Sequence, residues 1–476
     1  MSTYKKEFLS GVLYTSFAKY VGILVQIIIS MILARLLNPE DFGILAIATV
    51  FINFLNLITD FGFGAAIIQS DKLDKRDIES IFTLTFFIGL VAALLLFTLA
   101  NPIGEYYDKP IVVTVVQILS INVIFAALNI VPNALLLKAK KFKLVAIRTL
   151  GLQLISGSIG VLLAFFGFGL YALVIQSILY AIGIFSFNYY HNKISFFNHI
   201  SRGSINKIIN FSVFQFAGSV MNFITKSIDK PLVGKFLSLS SLGYYEKSYR
   251  LMQMPVDNLS YIFTPVMQPM FREFQHDLPA MFQKYRKILK TLSVVGFPLS
   301  VLLYFSAFDL INLFYGGKWN LAVEPFQYLS VSVGFMILMS SSGPIYQASN
   351  NIRFMLVVNI TEFLVSVSCL FLSLRTGNVN YVAMCVSAGV IIRFIFVFSL
   401  LSKGVFSISP FKILQTIFPG FFLGSILIVL YLGEAQMHLG LDKIFHLILN
   451  GLIWVLVTGA YLCFDKDIQL KALLKR

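Results

Sequence analysis

The sequence predicts an all-α polytopic membrane protein of about fourteen transmembrane helices, arranged as two pseudo-symmetric six-helix lobes followed by two C-terminal helices. Three observations carry this. Of the 476 residues, 58% are apolar and 12% charged, and the mean hydropathy is +0.83, a composition suited to lipid rather than water. Apolar stretches of the roughly 20 residues needed to cross about 30 Å of hydrocarbon follow one another almost end to end. Short stretches of sequence also recur at a fixed offset of 200 residues.

Apolar runs read against their breakers place helices over 10–33, 41–66, 78–99, 111–135, 144–166, 169–190 and 207–233. A second set covers 242–270, 288–314, 323–348, 354–374, 378–401, 413–432 and 443–464. The first run is too long for a signal-peptide core and leads into Arg35 and Asn38-Pro39-Glu40-Asp41 without a small-residue cleavage site, so it reads as the first membrane helix. Asn38-Pro39 and Gly43 give a tight turn before the second helix, and Gly167 and Gly169 a helix-ending turn between the fifth and sixth.

Orientation follows from Lys and Arg in the short loops. With the N-terminus inside, inner segments carry 24 such residues and outer segments 7, so both termini are expected to be cytoplasmic. The net charge of +15 is dispersed among these loops rather than gathered into a patch, which fits contact with membrane lipid headgroups and gives no case for nucleic acid. Cys369, Cys385 and Cys463 lie in apolar stretches without metal-ligand spacing and read as packing residues. His191, His199, His276, His438 and His446 fall in or beside predicted loops with no H-x-x-x-H pair, so no metal site and no cofactor is expected, and surface positions are the default.

The repeat is read directly. Arg35-Leu36-Leu37 matches Lys235-Phe236-Leu237, and Phe42-Gly43 matches Leu242-Gly243, at an offset of 200. A second echo at an offset of 212 pairs Pro132 with Pro344 and Lys141-Phe142-Lys143-Leu144-Val145 with Arg353-Phe354-Met355-Leu356-Val357. The expected organisation is an N-terminal lobe over 1–200, a C-terminal lobe over 201–404, and a helix pair with a cytoplasmic tail over 405–476. Parallel repeats with a site between them are a transporter design. Short outer loops argue against a catalytic domain, and no catalytic residue is assigned.

Ionisable residues inside membrane helices are costly and mark candidate sites. On the first helix Thr15, Lys19, Gly22, Gln26 and Ser30 share one face, with Lys19 near mid-depth. On the seventh, Gln215, Ser219, Asn222, Lys226 and Lys230, joined by Asp229, take the equivalent register. The second helix presents Thr49, Asn53, Asn56 and Asp60, and the eighth Glu246, Arg250, Gln253, Asp257 and Ser260. Four such stripes suggest one wet central cavity. The competing explanation is that polar stripes bond helix to helix and that terminal cations snorkel, which suits Lys230, Glu246, Lys247, Arg148 and Arg393. Lys226 and Asp229 could equally form a local ion pair. The candidate substrate residues are therefore Lys19, Gln26, Asn53, Asn222, Lys226, Arg250 and Gln253, with Asp60 and Asp257 as candidates for a coupling H⁺ or Na⁺. Cations of this kind suit an anionic cargo such as a diphosphate, and amides suit sugar hydroxyls.

Several stretches resemble the polysaccharide transporter family, the Wzx-type oligosaccharide-lipid flippases of the MOP superfamily, and in particular its colanic-acid-exporter-like branch. They are residues 34–43 (ARLLNPEDFG), 60–66 (DFGFGAA), 167–176 (GFGLYALVIQ), 243–251 (GYYEKSYRL) and 313–319 (LFYGGKW). The resemblance implies a V-shaped cavity lined by helices 1, 2, 7 and 8. It also implies a cargo of undecaprenyl-diphosphate-linked oligosaccharide, moved across a bacterial inner membrane by alternating access and an ion gradient, with polysaccharide assembly proteins as partners. It transfers no site residue, because the family has no strict motif. Three other readings stay open at this point: a drug or small-molecule exporter of the same superfamily, a membrane glycosyltransferase, polymerase or ligase, and a scaffold within an assembly complex.

Overall fold

The computed structural model describes residues 2–70, 72–195, 203, 209–436 and 443–465, and contains no strand among them. Contacts divide the chain into two compact units, Met1–Gly243 and Tyr244–Arg476. The expected start of a helix at 207, the loop cations Arg202 and Lys207, and the tail from Lys466 lie outside the described residues, as do the side chains of Thr15 and Gln215.

The first unit holds α1 (Ser2–Leu36), α2 (Pro39–Asp60), α3 (Phe63–Gln69), α4 (Lys75–Tyr106), α5 (Pro110–Lys138), α6 (Phe142–Phe165), α7 (Leu170–Asn192), α8 (Ile209–Ser227) and α9 (Asp229–Phe236). It also takes the first turn of α10 (Leu239–Arg272). Local chemistry sets the ends. Pro39 opens α2 and Asp41 accepts the Asn38 N–H at 2.9 Å; Asp74 and Asp77 exchange hydrogen bonds at 2.8 and 3.0 Å to start α4. The single helix expected over 41–66 is broken at Phe61 and Gly62, both in the left-handed region with φ of 40° and 78°. Aromatic and aliphatic side chains of α3, α4 and α5, among them Phe63, Ile67, Phe82 and Val131, form a buried core around that break. Helix α5 is the hub, packing on α2, α3, α4 and α7, while α6 joins α1 to α7.

Helices α2 and α10 cross at their first turns. A Cβ on Gly43 would stand 1.8 Å from the Leu239 carbonyl oxygen, and one on Gly243 would stand 2.0 Å from that of Pro39. Only glycine lets the two backbones come this close. Each glycine meets the residue 200 positions along from its partner's contact, so the crossing has two-fold character. The same end is tied by ion pairs from Lys109 to Glu40 at 2.7 Å and from Lys235 to Asp108 at 2.9 Å. There the Tyr107 hydroxyl, kept protonated by burial, donates to the Pro231 carbonyl at 3.1 Å.

The second unit holds the rest of α10, then α11 (Leu278–Phe305), α12 (Ala307–Phe314), a 3₁₀ turn, α13 (Val323–Ser330), α14 (Val333–Ser340), α15 (Ser342–Ala348), α16 (Ile352–Leu374), α17 (Val379–Leu400), α18 (Pro410–Gln436) and α19 (Lys443–Phe464). Helix α11 packs on α13, α14, α18 and α19, and the rings of Phe297 and Phe421 stack with centroids 3.8 Å apart. The expected helix over 323–348 bends by 48° near Val331. Ser330 and Ser332 there turn their hydroxyls back onto the carbonyls of Phe326 and Leu329, competing with the helical ladder.

Among the described residues, eleven helices are long and apolar enough to cross a membrane, or twelve if the bent pair is one span. Fourteen were expected. The two long helices that fall short are α8 and α10, the ones that carry polar stripes in the second repeat. This is a multi-pass membrane protein.

Candidate functional site

The site is built where α1 lies along α6. The Gln153 side chain donates to the Gly22 carbonyl at 3.0 Å, and beside that bond lies a pocket of about 330 Å³ lined by Lys19, Gly22 and Gln26 of α1 and by Thr149 and Gln153 of α6. Two of the residues expected from the first-helix stripe, Lys19 and Gln26, therefore share one pocket. Lys19 stands halfway along α1. Thr149 and Gln153 were not singled out from the sequence, although their four-residue spacing puts them on one helix face.

A second pocket of about 420 Å³ is lined by Asn56, Thr59 and Asp60 of α2, by Gly64 of α3, and by Asn129 and Asn133 of α5. Asp60, expected as an ion-coupling residue, accepts the Gly64 N–H at 3.3 Å. Behind this wall is Arg148, 7% exposed, which donates to Asn188 at 2.5 Å, to Asn133 at 3.2 Å and to Thr149 at 3.3 Å. Asn188 in turn donates to Asn129 at 2.6 Å. Arg148, read from sequence as a residue that could snorkel, is instead the centre of a buried network whose Thr149 lines the first pocket and whose Asn129 and Asn133 line the second.

Asn53 is exposed on α2, next to Phe54, whose ring lies 5.7 Å from that of Phe223 on α8. Asn222 and Lys226 are exposed on α8. In the second unit Arg250 is exposed, and Gln253 donates to Asp257 at 2.9 Å along α10. Lys247, given to snorkelling from its position, is 3% exposed and lies 5.1 Å from the ring of Tyr315 and 5.9 Å from that of Trp319. His446 is no simple surface residue: it meets Asp309 at 2.5 Å and Glu434 at 3.5 Å, linking α19 to α12 and α18. Arg393 pairs with Glu362.

The arrangement is one of two polar pockets within a bundle of apolar helices, the first with an ammonium among amide and hydroxyl groups and the second with a carboxylate among amides, and solved structures share its fold. One of the lipid II flippase MurJ in an inward closed conformation matches with a TM-score of 0.75 at 15% identity, over 97% of this chain and 100% of that one. One of an inward-facing multidrug resistance MATE family transporter of the MOP superfamily matches with a TM-score of 0.61 at 14% identity, over 82% and 96%. The chain thus shares the fold of these two solved structures. Within that fold it belongs to the polysaccharide biosynthesis protein family, which it matches over residues 32–324. Relatives include the teichuronic acid biosynthesis protein TuaB of Bacillus subtilis, 23% identical over 80% of each chain. Others are the lipopolysaccharide biosynthesis protein WzxC of Escherichia coli, 24% identical over 72% of this chain and 69% of that one, and the succinoglycan biosynthesis transport protein ExoT of Rhizobium meliloti, 25% identical over 66% and 63%.

Proposed function

We propose that the protein is a flippase that carries an oligosaccharide linked to undecaprenyl diphosphate from the inner to the outer leaflet of a bacterial inner membrane. It works as a transporter rather than an enzyme, with both termini cytoplasmic and with lobes over 1–200 and 201–404 and a helix pair over 405–476. The observation that carries this reading is the pocket shared by Lys19, Gln26, Thr149 and Gln153 in a chain of the polysaccharide biosynthesis family. An ammonium among hydroxyl and amide groups suits a diphosphate joined to a sugar, while the lipid tail stays in the bilayer. A pocket built for a hydrophobic cation would present carboxylates and ring faces instead, which weighs against a drug exporter. Lys226 and Arg250 are assigned to the same anionic cargo, Asn53, Asn222 and Gln253 to its hydroxyls, and Asp60 and Asp257 to a coupling H⁺ or Na⁺. Polysaccharide assembly proteins are the expected partners.

Deleting the gene tests the reading. The expected result is accumulation of lipid-linked oligosaccharide on the inner leaflet with loss of the surface polymer. Sensitivity to toxic cations with normal surface polymer would overturn it.

A further inference from the structure

We propose that the pocket between α2 and α5 is a saccharide subsite, in which the amide nitrogens of Asn129 and Asn133 donate to sugar oxygens and the carboxylate of Asp60 accepts from sugar hydroxyls. This rests on the reading of the cargo as a lipid-linked oligosaccharide and adds a site to it.

The argument starts at Arg148. A guanidinium can only donate, so the amide atoms of Asn133 and Asn188 that face it are oxygens. With its oxygen turned to Arg148, Asn188 offers nitrogen on its other side, and the atom of Asn129 that receives it is again oxygen. One buried arginine thus fixes the orientation of three amides. Asn129 and Asn133 both line the pocket with their oxygens already engaged in the wall. Their side-chain nitrogens have no partner among the described residues and are the atoms left for the pocket's contents.

This donor pattern selects the ligand. A metal cation needs converging oxygens, but the oxygens of Asn129 and Asn133 are engaged in the wall and a guanidinium stands behind them with no carboxylate pairing it among the described residues. A free phosphate would meet the Asp60 carboxylate. Two N–H donors opposite one carboxylate instead match an uncharged group that both accepts and donates, as sugar hydroxyls do. The subsite takes Asp60 out of the ion-coupling pair assigned above and leaves Asp257 alone as the carboxylate for a coupling ion.

The test is the Asn129→Asp, Asn133→Asp double variant. Aspartate keeps an oxygen towards Asn188 and Arg148 but replaces each pocket donor with an acceptor. Protein in proteoliposomes is given the lipid-linked oligosaccharide extracted from the producing bacterium, and separately the same polyprenyl diphosphate without its glycan. The expected result is a fall of about tenfold in the oligosaccharide rate with the bare lipid unaffected, the size lost with two hydrogen bonds. An equal fall for both probes, or for neither, would overturn the subsite. A second readout does not depend on transport: free oligosaccharide released from that lipid should raise the melting temperature of the original protein but not of the variant. If the original protein moves neither probe, the flippase reading fails while the melting experiment still decides the subsite. Stabilisation by Na⁺ alone, abolished by Asp60→Asn, would mean a cation site and would also overturn the proposal.

Discussion

Arg148 is buried in the first unit against the oxygens of Asn133, Asn188 and Thr149. Removing a charged donor from three acceptors strips the amides of the group that orients them. Arg148→Met should therefore lower stability by about 2–3 kcal/mol, measured as a lower melting temperature in detergent. Arg148→Lys should not restore it, because an ammonium is a point donor and cannot fork between two amides. Full recovery with lysine would contradict the network. At this scale the sequence showed what a helical period can show. Lys19 and Gln26 stand seven residues apart, two turns of one face, and they do line one pocket. The other wall escaped. Thr149 with Gln153, Asn129 with Asn133, and Asn188 with Asn192 each have the four-residue spacing, but an isolated pair is common on any helix. Only the packing of α5, α6 and α7 shows that these pairs face one another.

Among the elements, the crossing of α2 and α10 depends most sharply on single positions. The Gly43 and Gly243 contacts leave no room for a Cβ, so Gly43→Val must separate the two first turns. The measurement is a short thiol cross-link between Asp108→Cys and Lys235→Cys, which replace an ion pair at the same end, in protein lacking Cys369, Cys385 and Cys463. Adding Gly43→Val should cut the cross-linking yield severalfold, and an unchanged yield would show that the crossing does not hold this end together. The 200-residue offset in the sequence already paired Gly43 with Gly243, though not the contact between their helices. The expected segments fall on helices among the described residues, though eleven or twelve rather than fourteen are long and apolar enough to span, because apolar length and turn residues dominate that signal. The breaks inside them were hidden. Phe61 adopts a left-handed conformation that its apolar side chain does not announce, and nothing in the apolar run over 323–348 marks Ser330 and Ser332, whose hydroxyls turn back onto the helix, as the place of a bend.

At the scale of the molecule, hydropathy and polar pattern disagree on the same two helices. By apolar length α8 and α10 fall below the mark that eleven others pass, yet both are long and both carry the striped faces expected of walls around a polar passage. A protein that only anchored itself would have no use for them; one that moves a charged, sugar-bearing headgroup past lipid requires such faces. The central claim is that Lys19 and Lys226 draw in the diphosphate of that headgroup. The direct measurement is transbilayer movement of the extracted lipid-linked oligosaccharide by purified protein in proteoliposomes, comparing the original chain with the Lys19→Ala, Lys226→Ala double variant. Both residues can be truncated with little effect on packing if their role is the cargo, so the variant should fold and move the lipid at least about tenfold more slowly, the loss of charge-assisted contacts to a phosphate. Movement at the original rate by the folded variant would contradict the assignment.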